Sequence, residues 1–216
     1  IIISHFDLDH YFGLTKVLAS NKFTVGTLYH NGLPRYGDNA QKDLNLGSVT
    51  KHSDDTLSIS TDLRDIDSAR QLVDSSLLLT KKGNDNKFSR FLQAAVTAHD
   101  EGRLDNIQRL VRRKTDDPHP ILEDTGLDLR FEVLGPVTTK SLGAIRLRAF
   151  PDPHDVSGSN PHPTPSESHT INGNSVVLRL IYGDTTFLFG GDLNQPAQAY
   201  LKERYQDTGI FRADVN

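Results

Sequence analysis

An α/β fold with mixed sheets is what this sequence predicts, on three observations. Short β-rich runs recur along the chain at residues 23–29, 57–59, 131–134, 144–150, 175–181 and 185–189. Helical patterns interrupt them near residues 11–19, 86–113 and 195–205. The chain's 216 residues, 36% of them hydrophobic, suffice to bury one sizeable core, so residues 1–216 read as a single domain.

Taken in order, Ile1-Ile2-Ile3 reads as a buried strand that runs into the polar cluster Ser4-His5-Phe6-Asp7-Leu8-Asp9-His10, with a helix after it. Phe23, Val25, Leu28 and Tyr29 suggest the next strand, and a Gly/Asn/Pro-rich loop occupies residues 31–39. Phe88, Phe91, Leu92, Ala95, Val96 and His99 recur at helical spacing. Leu104, Ile107, Leu110 and Val111 do so after Gly102, which predicts two helices joined near Glu101-Gly102. Residues 151–170 form a loop rich in Pro, Ser and His. The two β-rich runs flanking Tyr182-Gly183-Asp184 read as a hairpin. After Gly190-Gly191-Asp192, Asn194 reads as a helix N-cap, with Pro196 in the first turn of that helix.

Composition removes several function classes. With no cysteine, the chain holds neither disulfides nor thiolate metal sites, so any transition-metal site must use His and carboxylate. No run approaches the roughly 20 apolar residues of a membrane span, and the chain reads as soluble, with its compartment open. A formal charge of -4 gives no global support for nucleic-acid binding. Locally, Arg103, Arg109, Arg112, Arg113 and Lys114 offer a basic face that could contact phosphates.

The strongest chemical signal lies at residues 5–10. His5, Asp7 and Asp9 alternate with Phe6 and Leu8, so a turning backbone projects the polar residues to one side while the apolar ones anchor it. His10 follows and can swing in at the start of the helix. Two carboxylates crowded beside two imidazoles are unfavourable unless a cation neutralises them or water dilutes them. The plain alternative is an exposed loop with helix-capping aspartates. Far along the chain, the glycines of Gly190-Gly191-Asp192 let the backbone approach closely, so that the Asp192 carboxylate can reach the same cation.

Residues 4–14, Ser-His-Phe-Asp-Leu-Asp-His-Tyr-Phe-Gly-Leu, resemble the His-x-His-x-Asp-His signature of the metallo-β-lactamase superfamily, with Asp7 in place of its second His. The His-x-Asp-x-Asp-His form, together with the run from Asn174 through Gly191-Asp192, looks like the ComEC/Rec2-type competence branch. That resemblance implies an αββα sandwich, incomplete at both ends, with residues 31–129 as a helical insertion. It implies two metal ions, zinc first with manganese or iron as alternatives. His5 and Asp7 would serve one ion, Asp9 and His10 the other, and Asp192 would bridge them. His154 and His169, in the Pro-rich loop, are weaker ligand candidates, whereas His30, His52, His99 and His119 read as surface or packing residues. A strand before Ile1 and a further His after Asn216 are expected to complete such a domain.

The implied activity is hydrolysis by a metal-activated water, with Asp9 and Asp192 as catalytic residues and a phosphodiester, small-molecule or nucleic-acid, as first substrate. The alternatives are a small-molecule ester, lactone or β-lactam hydrolase and a non-catalytic metal-binding module.

Overall fold

Residues 1–38, 40, 43–112, 119–124, 126–141, 144–152, 154, 164–206 and 208–215 are described by the computed structural model of the protein. Their elements run α1 (Leu8–Ala19), β1 (Val25–His30), β2 (Val49–Lys51), β3 (Leu57–Ser60), α2 (Ile66–Val73), α3 (Lys87–Asp100) and β4 (Leu104–Arg109). After these come β5 (His119–Asp124), β6 (Leu129–Gly135), β7 (Thr138–Ser141), β8 (Ala144–Arg148), α4 (Glu167–Gly173), β9 (Val177–Tyr182), β10 (Thr185–Phe189) and α5 (Gln195–Tyr205). The fold is mixed α/β. Parallel pairing joins β1 to β4, and antiparallel pairing builds the sheets β10-β9-β6-β5 and β2-β3-β8-β7, with no barrel among the described residues.

The chain's first residues lie parallel to β1. Tyr29 N–H donates to Ile1 O at 2.8 Å, and Ile3 N–H donates to Tyr29 O at 2.9 Å. Just beyond, Val176 N–H donates to Ser4 O at 2.7 Å, which fixes the backbone entering His5 beside the lead-in to β9. Phe6 then turns into an aromatic cluster, with ring centroids 5.7 Å from Tyr11, 4.8 Å from Phe88 and 5.8 Å from Phe91. Leu8 does not anchor the segment as expected. It opens α1 and stays exposed, so Phe6 alone carries that role.

α3 follows its predicted pattern. Asn86 caps it by accepting Ser89 N–H, and Phe88, Phe91, Leu92, Ala95 and Ala98 bury one face against α1 and β4. Each buried Phe or Leu contributes about 1.5–3 kcal/mol.

The second predicted helix is a strand instead. From Leu104 the chain pairs in register with β1, from Val25↔Leu104 to His30↔Arg109, and Leu104 and Ile107 point into the core. Two apolar residues three apart fit one helical face, but they also fit a short strand that buries a side chain on each of its faces. Residues 31–129, expected as a helical insertion, therefore supply strands as well as helices, and β4 and α3 help to build the core beside α1 and β1.

The hairpin β9–β10 and helix α5 are as predicted, with Asn194 Oδ1 accepting Ala197 N–H at 3.2 Å. α5 covers β6 and β9 through Leu201 and Tyr205, which pack with Leu134 and Val177. Among the described residues, no helix is long and apolar enough to cross a membrane.

Candidate metal centre

The end of the first segment, the first turn of α1 and the turn after β10 meet at one place. Single ligand atoms of His5, His10 and Asp192 all lie within 4.8 Å of one another. His10 Nε2 is 3.3 Å from Asp192 Oδ2 and 3.8 Å from Asp9 Oδ2, and His5 Nε2 is 3.8 Å from Asp7 Oδ2. The structure thus brings together three of the five residues singled out at the two ends of the sequence, while Asp7 and Asp9 each stand beside one histidine of that group without joining it. His154 and His169 stand outside the converging group. His154 is exposed, and His169 Nδ1 lies 3.0 Å from Ser166 Oγ. His162 falls outside the described residues.

Local backbone chemistry explains the convergence. Asp7 is the N-cap residue of α1, yet its side chain makes no capping hydrogen bond. Its carboxylate is turned toward His5, so helix capping does not account for this aspartate. Gly191 has φ of +57°, and a Cβ there would stand 2.9 Å from Ser4 Cβ and 3.0 Å from Ser175 Oγ. Only glycine satisfies both the left-handed backbone and the close approach that carries Asp192 to His10. At Gly190 an added Cβ would meet nothing within 4 Å, so only one of the two glycines has this duty.

The spacing suits ligands better than hydrogen bonds. An N–H···O bond closes to about 2.9 Å. Two ligands held 2.0–2.2 Å from one zinc in a tetrahedron stand about 3.3–3.6 Å apart. The 3.3 Å separation of His10 and Asp192 matches the second value, and the two of 3.8 Å lie somewhat beyond it.

The surroundings of His5 fit a ligand as well. Ser175 Oγ donates its one proton to Asn172 O at 2.8 Å, so toward His5 Nδ1, 3.3 Å away, it can only accept. Ser4 Oγ, 3.0 Å from His5 Nδ1 and 3.3 Å from His10 Nδ1, can donate or accept. His5 Nε2 is buried, without a hydrogen-bond partner, and 3.8 Å from Asp7 Oδ2. The tautomer with its proton on Nδ1 would offer the Nε2 lone pair to a cation between the two.

Burial first, and the neighbouring His10 second, lower the affinity of His5 for a proton, against the raising influence of Asp7, Asp192 and Asp9. A neutral imidazole is the form that binds metal. The donor set fits a His/carboxylate cation site.

Sequence reasoning missed Arg35 and Glu167. Arg35, in the loop after β1, places Nη1 3.6 Å from Asp7 Oδ1 and Nη2 3.1 Å from Glu167 Oε1 in the first turn of α4. It also missed the serines that face the His5 ring, although Ser4 and Ser175 lie within the quoted motifs. Of the basic face predicted at residues 103–114, the three named residues that are described are engaged within the protein. Arg103 donates to Leu18 O and Ser20 O and pairs with Glu101, Arg109 donates to Thr61 Oγ1, and Arg112 lies over the Tyr205 ring. Arg113 and Lys114 fall outside the described residues.

Set against protein-family models, curated proteins and solved structures, the chain matches none of them.

Proposed function

We propose that this protein is a metal-dependent hydrolase whose first substrate class is a phosphodiester. The observation that carries the reading is the meeting of His5, His10 and Asp192 from opposite ends of the chain, with Asp7 and Asp9 beside them. The resemblance of residues 4–14 and 174–192 to the metallo-β-lactamase superfamily supports it, and the competence-type branch supplies the choice of substrate. The same reading extends to an αββα arrangement, with α1 and α3 outside one layer of strands and α5 outside another.

His5 Nε2 with Asp7 Oδ2 would hold one cation and His10 Nε2 with Asp9 Oδ2 a second, Asp192 serving both. Zinc suits these donors first, and the oxygen-rich set also suits manganese or iron. A bound divalent cation supplies Lewis acidity and makes water a stronger acid near neutral pH. The protein residues do the rest. Buried His5 gives the site a rigid wall. Asp9, whose side chain is 85% exposed, is free to accept the nucleophile's proton on the oxygen turned away from His10. Asp192 orients the nucleophile from the opposite side.

The test is turnover by metal-stripped protein after addition of zinc or manganese. The substrates are an aryl phosphodiester, an aryl ester and a chromogenic β-lactam. Metal-dependent cleavage of the phosphodiester, lost by about 100-fold or more in Asp192→Asn, is the expected result. Failure of the wild-type chain to take up metal overturns the reading. Cleavage of only the ester or the lactam moves it to a small-molecule hydrolase.

A further inference from the structure

Asp7 uses its two carboxylate oxygens in two directions. Oδ2 faces His5 Nε2 at 3.8 Å, and Oδ1 faces Arg35 Nη1 at 3.6 Å. We infer that Arg35, tied to Glu167, is a positioning residue that holds Asp7 for ligation through a single oxygen; the inference rests on the metal-site reading above.

The Arg35 backbone is fixed on both sides. Asn86 Nδ2 donates to Arg35 O at 3.0 Å, and Tyr36 N–H donates to Asn45 O at 2.9 Å. Tyr36 also donates its hydroxyl proton to Asp62 Oδ2, and Leu33 N–H donates to Asn31 Oδ1 at 3.2 Å. From that anchored loop the guanidinium reaches back to the metal centre. Glu167 takes Nη2 at 3.1 Å, which sets the plane of the guanidinium. Nη1 is buried without a hydrogen-bond partner among the described residues, and it stands 3.6 Å from the Asp7 carboxylate.

This arrangement gives Asp7 what a helix cap would otherwise provide, a defined rotamer, and does so without engaging the oxygen that faces His5. It also links α4 to the metal centre. The sequence points to a ligand histidine in the Pro-rich stretch around α4; among the described residues it is Glu167 that connects this part of the chain to the site, acting through Arg35. Two opposing consequences follow from a cationic group placed beside a cation site. Bare charge repulsion predicts that removing Arg35 tightens metal binding. Positioning of Asp7 predicts that removing it weakens binding, because partners that orient metal ligands are worth about 10–100-fold in affinity.

Zinc titration calorimetry on the full chain separates these outcomes. Arg35→Gln should bind zinc about 10–100-fold more weakly than wild type, and on an Asp7→Asn background the same substitution should cost less than about twofold. A merely structural role would cost the same on both backgrounds, which overturns the inference. Unchanged or tighter binding by Arg35→Gln overturns it too. Glu167→Gln, which leaves the guanidinium in place, should give a smaller loss that also vanishes with Asp7→Asn. It carries the test if Arg35→Gln fails to fold by circular dichroism. A wild-type chain that takes up no zinc removes the metal reading and this inference together, whereas normal wild-type uptake with an unaffected Arg35→Gln removes only the inference.

Discussion

His5 and His30 close two neighbouring parallel segments, and in both the ring is fully buried with Nε2 lacking a hydrogen-bond partner. Their other nitrogens distinguish them. His30 Nδ1 accepts Gly32 N–H at 2.9 Å, so its proton sits on Nε2. His5 Nδ1 faces two serine hydroxyls, one of which has already given its proton to Asn172 O, so a proton on Nδ1 finds an acceptor there and Nε2 can present its lone pair. Their ionic neighbours differ as well. Among charged groups, His10 acts most on His5 and is opposed by Asp7, Asp192 and Asp9, whereas Arg109 acts most on His30 and is opposed by Asp65. Burial and an orphaned nitrogen are therefore insufficient to mark a ligand. On the proposed metal-site reading, the donor or acceptor opposite the second ring nitrogen separates a histidine that can offer Nε2 to a cation from one that cannot.

The largest effect that can break this comparison is on metal affinity. His5→Asn should weaken zinc binding by about 100-fold or more, beyond the loss typical of an outer-shell partner, while His30→Asn should stay within about threefold of wild type. Calorimetric titration of both variants checks this, and equal losses would erase the distinction.

A pH experiment separates the pair differently. Burial lowers His30 to about 3 in the folded protein. An unfolded histidine binds its proton near the ordinary imidazole value of about 6.5, so the unfolded state binds more protons in the window between the two. Stability present above that window is lost as pH falls through it. His30→Gln lacks this term. Its stability relative to wild type should improve by roughly 2–3 kcal/mol between about pH 7 and about pH 4.5, read from urea midpoints. A constant difference across that range would show that His30 is not held neutral.

What could be read in advance differs between the two ends of the chain and its middle. The cluster of candidate ligands was legible because His5, Asp7, Asp9 and His10 are nearly contiguous, so their crowding is visible without a fold. Asp192 was legible because two glycines precede it at a strand end. Arg35 was not, because it sits in a loop without periodicity and its partners, Asp7 and Glu167, are remote in sequence. β4 was misread for a related reason. Leu104, Ile107 and Leu110 satisfy a helical spacing, and only the ladder to β1, including Leu110 N–H donating to His30 O at 2.7 Å, selects a strand. The different surroundings of the two Nδ1 atoms were likewise hidden, since they depend on Gly32, Ser4 and Ser175 and not on the histidines themselves.

A smaller effect distinguishes the two glycines before Asp192. Gly191→Ala forces a side chain into left-handed backbone at a cost of about 1–2 kcal/mol, and its Cβ meets Ser4 and Ser175. Both serines face His5 Nδ1, so the strain should reach zinc affinity as well as thermal stability. Gly190→Ala, with open space at its Cβ, should leave affinity unchanged.

The smallest expected change is also the most direct test of tautomer control. Ser175→Ala removes an acceptor from His5 Nδ1–H while leaving Ser4 Oγ at 3.0 Å, so zinc affinity should fall by no more than about tenfold. Nitrogen chemical shifts of the metal-free protein should show His5 protonated on Nδ1 and His30 on Nε2. In Ser175→Ala, the shift pattern of His30 should stay as it is, because its tautomer is set by Gly32 N–H. His5 should show a mixture, because Ser4 Oγ, the hydroxyl that remains, can either donate or accept. If His5 kept a single tautomer without Ser175, that serine would not be what leaves Nε2 bare, and the contrast between the two buried histidines would have to rest on their charged neighbours alone.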